Sequence, residues 1–258
     1  MTNHYAARPT DQQRNREFEA TSTTIWSTAV TVVWETDPNV IAAVLPPPLE
    51  PSDVNTARIR FATVDMGTGV PMFGAGWFGV RARHNSVEGE YALFMPMTTE
   101  QATVGGREMY GEPKKIGGVS IAIDGDRVHA KFERMGFVLA EFAGTVGASI
   151  DIAPKDKVDF YFKCSPSPDG KGFDTEPALV HVKRHEESRA GRAVDGTLSL
   201  NGSPIDPLGD IPVGKIVSME YAQVATKQSG EVVERVPADS LLPFMHTRYD
   251  DLSVLGKK

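Results

Sequence analysis

A single cysteine, Cys164, is the whole thiol inventory of this 258-residue chain. An internal disulfide is therefore excluded, as is a zinc cluster built from thiolates, and a reducing, cytoplasmic setting is expected. Long apolar runs are missing too. No stretch approaches the roughly 18 uninterrupted apolar residues of a membrane span, and the polar opening MTNHYAARPTDQQRNREFEA lacks the apolar centre of a secretory signal. A basic surplus is also absent. The 27 Lys and Arg against 34 Asp and Glu leave a net charge of -7, which argues against nucleic acid or an anionic membrane as the main partner and favours a small molecule. Motifs of common chemistry are wanting as well. The glycine-rich GTGVPMFGAG lacks the GxxxxGK[ST] spacing of a phosphate loop and reads as a loop or turn, and no GxSxG marks a serine nucleophile.

What is present is the punctuation of a β-rich protein. Twenty-four glycines and 18 prolines are scattered along the chain instead of being gathered in one linker, and 40% of residues are hydrophobic, enough for a sizeable core. VSIAID places Val119, Ile121 and Ile123 on one face, and RVHAKFE places Val128, Ala130 and Phe132 on one face, with Asp124-Gly125-Asp126 turning between them. Further strands are expected at residues 28–36, 57–66, 76–84, 91–97, 136–144, 159–164, 178–184, 196–202 and 215–226. Their number and spacing predict a mainly β (α+β) protein whose antiparallel sheets close into a barrel, because closure removes exposed edges. Helices are few: DPNVIAAVLPPP, capped by Asp37 and stopped by its prolines, and PADSLLPFM near the end. A leader over residues 1–20 and a single domain over residues 21–258 are expected.

Candidate chemistry narrows to lysine. His181 and His185 stand four apart, but ALVHVKR alternates like a strand, where such positions lie about 13 Å apart, too far to share a metal ion. Lys114 and Lys115 sit in REMYGEPKKIGG, fixed behind Pro113 and released into two glycines. A bare KK pair is ordinarily a solvated surface feature. Here, strongly apolar strands flank it on both sides, and consecutive side chains on an extended backbone point to opposite faces, so one amine can turn inward. A free amine attacks a ketone to give an imine, and an ammonium cannot. At an ordinary lysine pKa near 10.4, about one amine in 2,500 is neutral at pH 7. Making half of them neutral costs about 4.6 kcal/mol, which burial in an apolar pocket and a second cation can supply. Phe94, Met95 and Met97 precede the pair, and Lys115 adjoins Lys114.

The same residues carry a resemblance. GREMYGEPKKIG is similar to the signature loop of the acetoacetate decarboxylase family, and the likeness extends through VVWETDPNVIAAVLPPPLEP, HNSVEGEYALFMPMTTEQATVGGRE and DPLGDIPVGKIVSMEYAQ, over most of residues 25 to 250. The resemblance implies an acetoacetate decarboxylase-like barrel, a homo-oligomer, and imine chemistry on small keto acids without an organic cofactor or metal. It makes Lys114 the Schiff-base lysine. In that family the lysine is activated by desolvation or a neighbouring cation, which the resemblance implies for Lys114.

The resemblance also has gaps. The decarboxylases proper place an arginine in the early strand and two glutamates in the following strands near the lysine. The matching positions here are Ser27, Ala62 and Ala75, all uncharged. The expected activity is a lyase that forms a lysine imine with a small keto acid and breaks a carbon–carbon bond. Family members without those acids suggest an alternative, aldol or dehydration chemistry on pyruvate-like keto acids through the same imine. A second alternative is a non-catalytic protein that binds an apolar carbonyl metabolite. The expected catalytic set is Lys114, Lys115 as the pKa-lowering neighbour, and Tyr249 as proton donor, with Tyr110 a second candidate donor in the pocket wall. Met97, Phe94 and Trp77 are expected to keep the pocket dry, and Arg107 and Glu108 to bind substrate or brace the loop. Glu112 reads as a solvated turn residue.

Overall fold

The computed structural model describes residues 5–7, 25–67 and 71–256. Apart from residues 5–7, the expected leader lies outside the described residues, as do positions 68–70 of the glycine-rich stretch. The chain runs β1 (Ile25–Glu35), α1 (Pro38–Val44), β2 (Glu50–Pro51), β3 (Thr56–Asp65), β4 (Phe73–His84), β5 (Val87–Met97), α2 (Glu100–Tyr110) and β6 (Lys114–Ile116). It continues with β7 (Gly118–Asp124), β8 (Arg127–Arg134), β9 (Phe137–Ser149), β10 (Lys155–Lys163), β11 (Ala178–Leu200), β12 (Ile216–Arg235) and α3 (Ala238–Leu241), followed by 3-10 turns at Leu242–Thr247 and Leu252–Gly256.

Seven strands close on themselves in the order β10-β5-β4-β3-β1-β12-β11, with β11 returning to β10. The pairings are antiparallel except beside β5, which takes both β10 and β6 in parallel. At 23 residues, β11 outlasts the barrel. Its far half pairs with β9, and β8 and β7 follow, so the sheet folds back over the outside of β3 and β4. The stretches expected as separate strands at 178–184 and 196–202 are thus one strand, bent by a bulge between Ser188 and Ala190 where it leaves the barrel.

The two faces of each barrel strand have different duties, as the period of two requires. On β3, Ala57, Ile59 and Phe61 face outward into the main core, where Phe61 meets Phe132 of β8 with ring centroids 4.3 Å apart. Arg58, Arg60, Ala62 and Val64 face inward. The same split puts Phe160 and Phe162 of β10 outside, with Asp159 and Tyr161 inside. Asp37 caps α1 by accepting from the Asn39 amide at 2.8 Å, as the sequence predicts.

Two local expectations are corrected. The residues before the lysine pair, read as a loop, form helix α2, although Gly105 and Gly106 each cost roughly 1 kcal/mol relative to alanine. Residues Phe73 to Gly76, read as part of a loop, belong to β4.

Candidate active site

Helix α2 ends at Tyr110 because Gly111 takes a left-handed conformation, φ 81°, and returns its amide to the carbonyls of Arg107 and Gly106. Glu112 and Pro113 then lead into β6, where Lys114 lies opposite Met95 of β5. This short parallel pairing sets the direction of the two lysines. Lys114 points into the barrel and lines a cavity of about 310 Å³.

Inside, the Lys114 amine lies 2.6 Å from Glu112 Oε2. The other Glu112 oxygen accepts from Arg184 Nη2 at 3.1 Å, and Glu112 is only 2% exposed. Arg184 in turn donates through Nε to Asp159 at 2.5 Å, through Nη1 to Gln228, and through Nη2 to the Tyr161 hydroxyl at 3.2 Å. Tyr161 donates to Asp159 at 3.1 Å. Burial alone would lower the Arg184 guanidinium, but Tyr161, Asp159 and Glu112 outweigh it and push it well above its ordinary range. Burial would raise the Asp159 carboxyl, yet Arg184 and Lys157 hold it below the usual value. Burial and the charge of Asp159 push the Tyr161 phenol far up. The network therefore keeps its charges fixed and presents Glu112 to the lysine.

A second polar group faces the same cavity. Arg58 makes a two-pronged contact with Glu90 at 2.7 and 2.6 Å and lies 3.8 Å over the Trp77 ring. Arg60 donates to the Ser27 hydroxyl at 2.6 Å and to Glu186 at 3.3 Å, and Lys157 pairs with Glu186 at 2.9 Å. The remaining wall is apolar and includes Val64, Phe73, Met95 and Met97.

Of the residues singled out in the sequence, Lys114, Tyr110, Met97 and Trp77 line this cavity together. Tyr110 is buried, and burial followed by the charge of Glu112 pushes its phenol up. Ser27, Ala62 and Ala75, the uncharged positions of the resemblance, share the same wall.

The other expectations, apart from the loop-bracing reading of Arg107, need correction. Lys115, the next residue on an extended strand, turns to the opposite face, where its amine meets Asp206 and Asp250 at 2.9 Å each and donates to the His246 carbonyl at 3.1 Å. Its charge is consumed there, beside Arg134, which pairs with the same two acids. Phe94 also faces outward, edge-on to Phe132 at 6.4 Å. Tyr249 lies outside the cavity, 37% exposed, with the Arg107 guanidinium 5.0 Å from its ring centroid. Arg107 braces the loop by donating to the carbonyls of Lys114 and Arg248 at 3.1 and 3.0 Å. Glu108 is exposed on the outer face of α2. Glu112, read as a solvated turn residue, is the amine's buried partner.

Sequence reasoning missed Arg58, Arg60, Asp159, Tyr161, Arg184 and Glu186. A usable signal existed for some of them, since charged residues recur at alternate positions of apolar strands in ARIRFATVD and KVDFYFK. The two histidines are also explained. His181 accepts or donates across 3.0 Å to His84, which reaches Glu234 on its other side, and His185 faces Asp156 and Glu187. Among the described residues, no cluster of three or more His, Cys, Asp or Glu could hold a metal ion.

A lysine inside a closed barrel at the end of a GRE–PKK segment agrees with the match of the acetoacetate decarboxylase family model to residues 5–236. The chain belongs to the acetoacetate decarboxylase family. Curated relatives include the acetoacetate decarboxylase of Clostridium acetobutylicum, 26% identical over 86% of both chains. That of Burkholderia multivorans is 28% identical over 78% of this chain and 84% of its own. Among solved structures, an acetoacetate decarboxylase superposes with a TM-score of 0.72 at 21% identity, covering 84% of this chain and 92% of that one. The enduracididine biosynthesis enzyme MppR, complexed with pyruvate, superposes with a TM-score of 0.70 at 17% identity, covering 82% and 90%. The barrel is therefore the fold of this family. No helix among the described residues is long and apolar enough to cross a membrane.

Proposed function

We propose that the protein is a lyase in which Lys114 forms an imine with a small keto acid and uses it to break a carbon–carbon bond. The observation that supports this reading is the Lys114 amine inside the cavity with a buried carboxylate 2.6 Å away. A proton moving along that contact converts an ammonium–carboxylate pair into a neutral amine and a carboxylic acid. The nitrogen lone pair attacks the carbonyl carbon, the carbonyl π electrons move onto oxygen, and a proton passes from the attacking nitrogen to that oxygen to give a carbinolamine hydroxyl. Glu112 then protonates this hydroxyl, which leaves as water, and the protonated imine remains.

The imine nitrogen is the electron sink. When the adjacent C–C bond of a β-keto acid breaks, its electron pair passes to nitrogen, carbon dioxide leaves, and an enamine is formed. A proton delivered to the enamine carbon regenerates the imine, and water then releases the product and the lysine. Tyr110 is the proton donor in this reading, because it lines the cavity and its raised pKa keeps the phenol protonated.

A second reading has its own support. Ser27, Ala62 and Ala75 leave uncharged the positions that the decarboxylases proper fill with charge, and one MppR structure holds the condensation product of pyruvate and imidazole 4-carboxaldehyde. Aldol or dehydration chemistry uses the same imine and differs in which bond the enamine makes or breaks.

Borohydride trapping tests both. The protein is incubated separately with acetoacetate, pyruvate and a longer 2-keto acid, reduced, and the adduct located by peptide mass. An adduct on Lys114 that is absent from Lys114→Ala supports the imine, and its mass separates decarboxylated from intact substrate. No adduct with any acid, while an established Schiff-base enzyme labels normally, moves the non-catalytic binding reading ahead.

A further inference from the structure

Among the described residues, five cations face the cavity, Arg58, Arg60, Lys114, Lys157 and Arg184, against three carboxylates, Glu112, Asp159 and Glu186. Glu90, behind Arg58, adds a fourth. One positive charge is left over whichever partner in the Lys114–Glu112 pair carries the proton. Lys155 and Glu220, at the solvent edge, offset each other. A buried surplus charge is costly unless something negative meets it, so the cavity is built to receive an anion.

The surplus can be located. Arg58 is closed by its two-pronged contact with Glu90. Arg184 is surrounded by Asp159, Glu112, Tyr161 and Gln228. Lys157 holds Glu186 at 2.9 Å. Among the described residues, Arg60 has only the neutral Ser27 hydroxyl at 2.6 Å and a longer, shared contact with Glu186 at 3.3 Å. Burial lowers the Arg60 guanidinium, Glu186 offsets only part of this, and Arg58 and Arg184 add to it, whereas both of those arginines are themselves raised. A guanidinium with unused N–H groups is the side chain best suited to grip a carboxylate in two places.

We propose that Arg60, braced by Ser27, anchors the substrate's carboxylate, and that the substrate is a keto acid with an apolar chain long enough to run along Val64, Phe73, Met95 and Met97. The small side chains of Ser27, Ala62 and Ala75 open the wall between these groups. At about 310 Å³, the cavity is of the size that takes ligands well beyond four carbons, roughly 300–1,000 Å³. Placing the carbonyl at Lys114 rests on the imine reading, but the carboxylate anchor does not require it.

The test uses ligands that cannot form an imine. Binding of lactate, 2-hydroxyhexanoate and 2-hydroxyhexanamide to the full chain is measured by titration calorimetry for the unsubstituted protein, Arg60→Gln, Arg60→Lys and Ser27→Ala. Expected is tighter binding of the six-carbon acid than of lactate. Arg60→Gln should weaken the acid by roughly 10- to 100-fold, to the level of the amide, while leaving the amide unchanged. Arg60→Lys should recover part of the loss, and Ser27→Ala, which leaves every charge in place, should weaken the acid a few-fold. Equal binding of acid and amide, no binding of either acid, or full acid affinity in Arg60→Gln overturns the anchor, and Ser27→Ala decides if Arg60→Gln does not fold. Borohydride trapping in parallel keeps the two ideas apart. Acid binding through Arg60 with no adduct at Lys114 removes the imine and keeps the anchor, and an adduct without carboxylate discrimination does the reverse.

Discussion

Gly106 on helix α2 lies directly against the Lys114 side chain: a Cβ there would come within 2.5 Å of the amine nitrogen and 2.0 Å of Glu112 Oε2. A glycine that weakens a helix by roughly 1 kcal/mol is thereby the residue that lets the lysine and its carboxylate pass beneath that helix.

Alanine at the two adjacent glycines should act in opposite directions. Gly105 has open space around a new Cβ, so Gly105→Ala should gain up to about 1 kcal/mol of stability from helix propensity with trapping at Lys114 unchanged. Gly106→Ala should forfeit that gain and slow trapping at Lys114 by roughly tenfold or more, as expected when a catalytic group is displaced by an ångström. Thermal melts and borohydride labelling of both variants check this. Equal labelling in the two would show that the amine tolerates the displacement.

Glu112→Gln keeps the shape of the side chain and removes its proton-accepting role. Turnover should fall by roughly 10²- to 10⁴-fold, the range for loss of a positioned acid–base group, with KM changed far less than kcat. Steady-state kinetics on whichever keto acid is trapped gives both numbers. An unchanged kcat would assign the lysine's proton to another group.

Lys115→Met should cost stability more than chemistry. Its amine sits between Asp206 and Asp250, and removing one member of a buried charge cluster costs about 3–5 kcal/mol, with Arg134 left to hold both acids. The denaturation midpoint should drop, while labelling of Lys114 persists below the new melting temperature. Loss of labelling in a protein that still melts cooperatively would restore Lys115 to a direct role.

Acid should unfold the barrel from the inside. Asp159 and Glu186 are both held below their ordinary values, burial opposing the shift and Arg184 for one, Lys157 for the other, prevailing. A carboxyl depressed in the folded state binds protons more readily when unfolded, so its stabilisation is complete above the unfolded values, about 3.9 for Asp and 4.3 for Glu, and is lost as pH falls toward the folded values. Melting temperature should be flat with respect to these two groups from pH 7 to about 5 and decline below about 4. Glu186→Gln should be less stable at pH 7 and show a shallower decline, which melts across this range would reveal.

Much of the architecture is written in local pattern. Alternation in RVHAKFE, the Asp124-Gly125-Asp126 turn, and Asp37 with Pro38 at the start of α1 each rest on the preferences of a few neighbouring residues, and each is found where the pattern puts it. Helix α2 was hidden because two glycines lower its local propensity, and it is the packing against Lys114 and Glu112 that requires one of them. The continuity of β11 was hidden for a similar reason, since a bulged 23-residue strand reads locally as two.

By itself the sequence determined that the chain is β-rich, that one of two adjacent lysines can face inward, and, through the GRE–PKK resemblance, that it is Lys114. Only the tertiary structure decided which groups surround that amine. Asp159 on β10, Arg184 on β11 and Glu112 in the turn before β6 are far apart along the chain, and they meet because β10 closes the barrel between β5 and β11. A charge placed on one face of a strand says nothing about its partner until closure fixes which strands face each other across the interior. The β5–β6 pairing sends Lys115 outward to its acids, and barrel closure leaves Arg60 inside with a hydroxyl and part of a carboxylate.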